Sequence, residues 1–264
     1  MKKTGNKEKK LSRREVVFGG GILAASAVAI SALSGSDIGL LPQAEASETP
    51  LPWPYEKIDP QEAAQIAYEG FYEALCCYGV ARGIMAPLQK KIGEPYISQP
   101  LYEGLKLGAA GIAGWGTVCG ALLGSTVVTG FIVPPTGVGE QILNPSGAGE
   151  QILNELFQWY SNSPLPVFEP DKPRAEVRIQ SISQSPLCHI SVGKWLKSAG
   201  KALKSPEQKE RCARLSGDVA MRTAMLLNEW KDGKFNPVLK TPLDLHAIPS
   251  QHNCNECHTG KAPK

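Results

Sequence analysis

The stretch DPQEAAQIAYEGFYEALCCYGVARGIMAPLQKKIG, residues 59–93, decides the fold class. It opens with Asp59-Pro60, which places a side-chain acceptor at the N-cap and a proline at the first helical position. Apolar residues then recur along the segment, and Gly93 is typical of a helix end. The sequence therefore predicts a long helix that begins at Pro60 and ends at about Lys91.

Two further segments carry the same kind of helix start and stop signals. A Ser-Pro pair opens the segment 185–200 and another opens the segment 205–233, and each segment ends on a glycine. Both patterns predict helices. Because every strong capping signal in the chain is helical, we predict a mainly α fold.

The chain carries no charged residue from Leu107 to Gly139. Within this segment Gly116, Gly120 and Gly124 recur at a four-residue spacing, which allows another backbone to approach closely. We expect a long glycine-rich helix at the centre of the fold. The alternative is a membrane span, but no cluster of Lys or Arg flanks the downstream end of the segment.

A short tandem duplication follows the uncharged segment. The residues GVGEQILN at 137–144 recur as GAGEQILN at 147–154. We interpret 137–154 as an inserted loop whose second copy enters a short helix that ends near Tyr160. Prolines between residues 161 and 175 then predict an extended connector to the second helical portion.

Residues 1–46 have the layout of an export signal. Basic residues that end in Arg13-Arg14 precede an uncharged stretch, and the small-residue site Ala44-Glu45-Ala46 follows. The arginine pair is typical of a twin-arginine signal. We expect cleavage after Ala46 and a periplasmic protein, with an uncleaved anchor helix as the alternative. The expected organisation is a signal over 1–46, a helical domain over 47–233 and a tail over 234–264.

Composition and charge narrow the function classes. The chain is 42% hydrophobic and 20% charged, which fits neither a disordered chain nor a polytopic membrane protein. Its 28 Lys and Arg against 25 Asp and Glu give a net charge of +3, and the signal carries that excess. A neutral body argues against nucleic-acid binding, which depends on phosphate neutralisation. We expect no nucleic-acid partner and no membrane association after cleavage.

The segment Cys254-Asn255-Glu256-Cys257-His258 has the spacing of a covalent haem attachment site. Cys254 and Cys257 would form thioethers with the two vinyl groups, and His258 would be an axial ligand of the iron. The alternative is half of a zinc site, which needs a second Cys or His pair. We predict haem c.

His252 and His246 are the candidate second axial ligands. His252 stands too near Cys254 in the chain to reach the opposite face of its own haem, so we expect it to bind the iron of a partner chain. A longer stretch of chain separates His246 from Cys254, and His246 is the second candidate. Exchange of such ligands predicts a homodimer with a two-fold interface.

Five further cysteines precede the haem motif, and they are Cys76, Cys77, Cys119, Cys188 and Cys212. In an exported protein, disulfides are the ordinary interpretation. Four of these cysteines, however, lie within apolar or capped helical segments, and the chain is long enough to fold without disulfides. Their positions therefore favour another role, with buried apolar packing as a further alternative.

Five stretches in order carry a resemblance to a known family: CCYGVARGI, GIAGWGTVCGALLG, SPLCHISVGKW, ERCARLSGDVA and the terminal CNECH. Together they resemble the split-Soret cytochromes c, over about residues 55–260, and the spaced cysteines resemble the C_GCAxxG_C_C pattern of redox proteins. The resemblance implies a dimeric periplasmic electron carrier with bis-histidine haems and an iron-sulfur cluster. The cluster ligands it implies are Cys76, Cys119, Cys188 and Cys212, with Cys77 as the alternate for the first.

The cysteine count agrees with this implied assignment, since four thiolates suit a 2Fe-2S or a 4Fe-4S cluster and two more hold the haem. We favour 2Fe-2S. One departure concerns the haem: the family carries two haems per subunit, whereas this chain has a single Cys-x-x-Cys-His motif. A second haem therefore stays an open question at this point.

Electron transfer between cluster, haem and partner redox proteins is the expected function, and an enzyme is not expected. The first alternative is a multi-centre reductase of a small oxidant, although no constellation of Arg, Lys or paired acids indicates a substrate site. The second alternative is a thiol or metal-binding module.

Overall fold

The computed structural model describes residues 50–97, 99–135 and 147–237. Within these ranges the chain is mainly helical and has no named β-strand, which confirms the predicted fold class. A short 3-10 turn, Lys106–Gly108, follows the second helix. The α-helices are α1 (Pro60–Ile92), α2 (Gln99–Leu105), α3 (Gly120–Ile132), α4 (Ala148–Asn162), α5 (Cys188–Ala199) and α6 (Pro206–Lys231).

The predicted helix ends are confirmed at both ends of α1. The Asp59 carboxylate accepts a hydrogen bond from the Gln61 N–H at 2.8 Å. At the other end Gly93, with φ of 84°, follows the last helical residue, Ile92. Side-chain capping and a proline at the first position thus fix the start of α1.

The predicted helices near the C-terminal end of the described chain are also present. The Ser205 hydroxyl accepts a hydrogen bond from the Gln208 N–H at 3.2 Å and caps α6. Gly200, in the left-handed region with φ of 60°, ends α5. The α5 helix begins at Cys188, slightly later than Ser185-Pro186 predicts, because the carbonyl of Pro186 bonds to another segment instead.

The α1 helix is a hairpin of two arms rather than one straight rod. Ala74 and Leu75 leave the helical region, and Leu75 has φ of 70° and ψ of −169°. The chain reverses at these two residues. Residues 60–73 form the first arm and residues 76–92 form the second arm, which the sequence pattern of one long helix does not predict.

Contacts between the arms show that they run antiparallel. A Cβ on Gly70, near the turn, would lie 3.0 Å from the Cα of Gly79. Far from the turn, the Lys90 ammonium pairs with the Glu62 carboxylate at 2.7 Å. The two arms therefore run in opposite directions, side by side.

Glycine allows the two arms to touch through their backbones. A Cβ on Gly79 would lie 2.6 Å from the carbonyl oxygen of Ala67 and 2.7 Å from the backbone nitrogen of Phe71. Real Cβ atoms do not approach backbone atoms so closely. The hairpin therefore requires glycine at this position, and a larger residue would have to push the arms apart.

We expect Gly79→Ala to lower the free energy of unfolding by about 3 kcal/mol, because overpacking at a backbone contact forces the arms apart. Gly130→Ala is the matched control. Gly130 lies within α3 with no atom near its Cβ position. Alanine there should stabilise the protein by roughly 0.5–1 kcal/mol. Urea unfolding measures both variants, and a Gly79→Ala protein as stable as wild type would contradict the close packing.

The α6 helix lies along both arms of α1. The Tyr68 hydroxyl, on the first arm, donates to a Glu210 carboxylate oxygen at 2.9 Å. A Cβ on Gly83, on the second arm, would lie 3.2 Å from the Cβ of Ala220. Gly83 lies seven residues beyond Cys76 on the second arm, and Ala220 lies eight residues beyond Cys212 on α6. Because Gly83 and Ala220 face each other, Cys76 and Cys212 lie at a similar height along the two helices.

The uncharged segment after Leu107 differs from the single long helix that the sequence predicts. Up to residue 135, where its described part ends, the segment is α-helical only over Gly120–Ile132. Before α3 the chain forms a loop in which Ala110, Ile112 and Ala113 have φ values of 52°, 60° and 49°. Such values strain residues that carry a Cβ, above all the β-branched Ile112. The structure thus places a strained loop where continuous helix is expected.

The duplicated segment is described only in its second copy, because residues 136–146 lie outside the described ranges. That second copy enters α4, which ends at Asn162 and so confirms the predicted helix near Tyr160. The proline-containing connector after α4 is irregular, with an isolated bridge between Leu165 and Ser181. None of the helices in the described ranges has an apolar stretch long enough to cross a membrane.

A candidate metal centre at four cysteines

A two-residue antiparallel bridge brings Cys119 and Cys188 together. The Cys119 N–H donates to the carbonyl of Pro186 at 2.8 Å, and the Cys188 N–H donates to the carbonyl of Thr117 at 2.7 Å. These bonds join the loop before α3 to the start of α5 through the bridge of Val118. The two thiols therefore come from neighbouring backbone positions although they are far apart in sequence.

Cys76 and Cys77 are adjacent in the chain, yet their side chains have different neighbours. A Cβ on Gly120, next to Cys119, would lie 2.5 Å from the Cys76 Sγ. The Cys77 Sγ instead packs against Gly108. Cys76 is therefore the one of the pair whose sulfur lies beside the start of α3.

Electrostatic coupling joins Cys76 to three other thiols. Burial raises the pKa of the Cys76 thiol well above its ordinary value, and Cys119, Cys212 and Cys188 each raise it further. Burial also raises the pKa of Cys77 to about 12, but Cys119 is the one other thiol that contributes there. The structure thus groups Cys76, rather than Cys77, with the other three.

Cys188 and Cys119 show the same mutual coupling. Burial, then Cys119 and Cys212, raise the pKa of the Cys188 thiol to about 12. Burial likewise raises the pKa of Cys119, and Cys212 contributes. Four thiols from four segments therefore surround one location. The raised pKa values favour the neutral thiols of Cys76, Cys119 and Cys188, and a metal among them would favour the thiolates.

Three helix starts meet at these thiols. Cys76 begins the second arm of α1, Cys119 is the N-cap residue of α3, and Cys188 is the first residue of α5. The N-terminus of a helix carries partial positive charge and free N–H groups. The Ala121 N–H, at the start of α3, bonds to Cys119, and the Ala110 N–H, in the loop before α3, bonds to Cys76. Both bonds lower the pKa of the thiol against the effect of burial. Helix starts and N–H groups of this kind stabilise the thiolate form of the cysteines.

The described cysteines are free, so no disulfide joins any two of them. Within the described ranges, no group of three His, Cys, Asp or Glu side chains converges closely enough to hold a single metal ion. The ligands of one tetrahedral zinc ion lie about 3.8 Å from one another, since each Zn–S bond is about 2.3 Å. In an iron-sulfur cluster the cysteines bind different irons, so its ligands need not converge on one ion.

Arg211 is a buried cation beside the thiols, and the sequence analysis missed it. Its side chain is 2% exposed. One guanidinium nitrogen donates to the Ser191 hydroxyl at 2.8 Å, and the other lies 3.8 Å from the Cys212 Sγ. The Tyr160 hydroxyl also donates to Ser191 at 2.8 Å and lies close to Cys119. The available signal was a charged residue within the apolar pattern of α6.

The predicted haem residues lie outside the described residues. They are Cys254, Cys257, His258, His252 and His246. The signal over residues 1–46 also lies outside them. These sites stay predictions of the sequence.

Comparison with known proteins places the chain in a family. The family model of the "Putative redox-active protein (C_GCAxxG_C_C)" matches residues 75–226, more than half of the chain, and this range holds all the described cysteines. The chain belongs to the C_GCAxxG_C_C family. The resemblance inferred from its cysteine spacing is thereby confirmed.

A relative of known name supports this membership. The chain is 34% identical over 215 residues to the split-Soret cytochrome c of Desulfovibrio desulfuricans, covering 79% of this chain and 71% of that protein. A solved structure of the split-Soret cytochrome c of that organism matches with a TM-score of 0.63 and 32% identity, covering 79% of this chain and 82% of the other. That structure is described as containing a novel iron centre.

The C_GCAxxG_C_C family name gives the order Gly-Cys-Ala, whereas this chain has Cys119-Gly120-Ala121. A Cβ at position 120 would lie 2.5 Å from the Cys76 sulfur, so a cysteine there would collide with it. Gly120 leaves that space to Cys76. In this chain the cysteine of the segment stands one residue earlier, at the N-cap of α3.

Proposed function

We propose that this chain is a periplasmic electron carrier. Its helical body would hold an iron-sulfur cluster on Cys76, Cys119, Cys188 and Cys212, and its tail would hold a covalent haem. The observation that carries the proposal is the grouping of free cysteines, in which a backbone bridge joins Cys119 to Cys188 and the Cys76 sulfur lies against Gly120. Membership of a redox-active family and the similarity to a cytochrome c support it.

The residues around the four thiols would favour this group in two ways. A bound cluster would take up and release one electron at a time. Cys76 and Cys119 are buried, which keeps water from that side of the site. The Ala110 and Ala121 N–H groups bond to these two sulfurs, and such bonds tune the potential of a cluster. We favour a 2Fe-2S cluster, with 4Fe-4S as the alternative.

The tail would supply the second redox centre. Cys254 and Cys257 would hold the porphyrin through thioethers, and His258 would bind the iron on one face. On the other face His252, or otherwise His246, would come from a second copy of the chain. The protein would then be a homodimer in which both haems lie at the two-fold interface.

Export by the twin-arginine route agrees with this assignment. A cluster is assembled in the cytoplasm and has to leave the cell interior within a folded protein. The Arg13-Arg14 pair ahead of the uncharged stretch has the form of such a signal. Covalent haem attachment also takes place outside the cytoplasm.

A visible spectrum of the purified chain, recorded during stepwise reduction with dithionite, tests the proposed function. We expect a low-spin, six-coordinate haem and fully reversible one-electron reduction, as a carrier requires. A high-spin haem with a vacant position would instead favour the small-oxidant reductase. Absence of a Soret band would leave a thiol or metal-binding module and would refute the electron-carrier proposal.

A further inference from the structure

Arg211 has a buried charge without a carboxylate partner in the described part of the chain. Its side chain is 2% exposed, and its Nε has no hydrogen-bond partner. The other guanidinium nitrogens contact Ser191 and the Cys212 sulfur. Burying a cation without a counter-charge is costly, so a stable fold requires an anion nearby.

The neighbouring carboxylates do not fill this role. Glu210 lies next in sequence but pairs with the guanidinium of Arg214 at 2.9 Å. Asp218 also interacts with Arg211, but its oxygens accept hydrogen bonds from the backbone N–H groups of Val167 and Phe168. Burial raises the pKa of Asp218 to about 7, which weakens it as an anion.

Among the described residues, the thiol site is the remaining source of negative charge near Arg211. Cys212 and Cys119 are among the groups that interact electrostatically with Arg211, together with Tyr160. As neutral thiols these cysteines offer little charge. As ligands of a metal cluster they would be thiolates, and a cluster with four thiolates carries net negative charge.

We propose that Arg211 is the counter-cation of this cluster, a positioning residue that strengthens iron retention and raises the reduction potential. The inference rests on the proposed function. Reduction adds one electron to the cluster, supplied by the reductant, and makes the cluster one charge more negative. Arg211 stays protonated throughout and releases no proton. Its attraction is therefore stronger toward the reduced cluster than toward the oxidised one.

The test compares Arg211→Met, which removes the charge, with Arg211→Lys, which keeps it. Arg222→Met is the matched control, since Arg222 lies on the same helix and pairs with Glu155 at 3.6 Å. It is roughly 16 Å farther along α6, from the rise of about 1.5 Å per residue. Each variant is purified with its iron and titrated with dithionite under anaerobic conditions, with the cluster followed by electron paramagnetic resonance.

Arg211→Met should lower the reduction equilibrium constant of the cluster at least tenfold, which is about 59 mV toward more negative potential for one electron. Arg211→Lys and Arg222→Met should shift it less than threefold. If Arg211→Met loses its iron during purification while Arg211→Lys retains it, the proposal is also supported, because the charge then holds the cluster.

A second measurement compares the protein with and without iron. The melting temperature should rise on iron binding in the wild type and rise distinctly less in Arg211→Met. Equal potentials in wild type and Arg211→Met, or iron loss in both Arg211 variants, would overturn the proposed role of Arg211 but would leave the proposed function standing. A wild-type chain without cluster iron would overturn the proposed function as well, so the two failures are distinguishable.

Discussion

Replacing both Cys254 and Cys257 with alanine is expected to abolish covalent haem completely. The two thioethers are the bonds that join a c-type porphyrin to its chain, and these cysteines form the one Cys-x-x-Cys-His motif of the sequence. Denaturing electrophoresis followed by haem staining measures the effect. The His258→Ala variant should keep the stained porphyrin but change its spectrum, because the thioethers remain while the axial ligand is lost.

Cys77→Ala is the matched control for this experiment, since it removes a cysteine that the account assigns to neither redox centre. Its haem stain should equal that of the wild type. Full staining of the Cys254, Cys257 double variant would show that the haem is attached elsewhere. The same double variant should retain non-haem iron, because the proposed cluster ligands lie in the helical body.

Replacing Cys119 with serine is expected to remove essentially all non-haem iron and to lower stability. Cys119 is the N-cap residue of α3 and interacts electrostatically with both Cys76 and Cys188, so its loss would remove a ligand that adjoins two others. A neutral serine hydroxyl is a poor substitute for thiolate toward iron. Iron analysis and electron paramagnetic resonance after reduction measure the loss.

Cys77→Ser is the matched control, because Cys77 is also buried but its sulfur packs against Gly108 rather than toward Gly120. This variant should keep its iron, while losing some stability from a buried hydroxyl. An unchanged signal in Cys119→Ser would remove Cys119 from the ligand set. Iron loss in Cys77→Ser together with iron retention in Cys76→Ser would show that Cys77, and not Cys76, is the cluster ligand.

The helix ends could be predicted from sequence, but the hairpin in α1 could not. Asp59 and Gly93 act locally, through one capping bond and one backbone conformation, so their effect is visible in the sequence. The reversal at Leu75 depends on contacts between the arms at Gly70 and Gly79. Apolar spacing alone does not distinguish a long helix from two antiparallel arms.

The site was partly predictable for a related reason. Cysteine is a rare, chemically specific residue, so its spacing identifies a ligand set before the fold is known. The choice of Cys76 over Cys77 required the tertiary position of Gly120. Arg211 was missed because an arginine on a helix is ordinarily exposed, and its burial against Ser191 becomes apparent only when α5 packs on α6.

The most direct measurement of the central claim is the ratio of total iron to haem in the purified wild-type chain, from iron analysis combined with a haem assay. The account predicts iron in clear excess of haem, with about two irons beyond the haem iron if the cluster is 2Fe-2S. Iron equal to haem would contradict the claim that Cys76, Cys119, Cys188 and Cys212 hold a cluster.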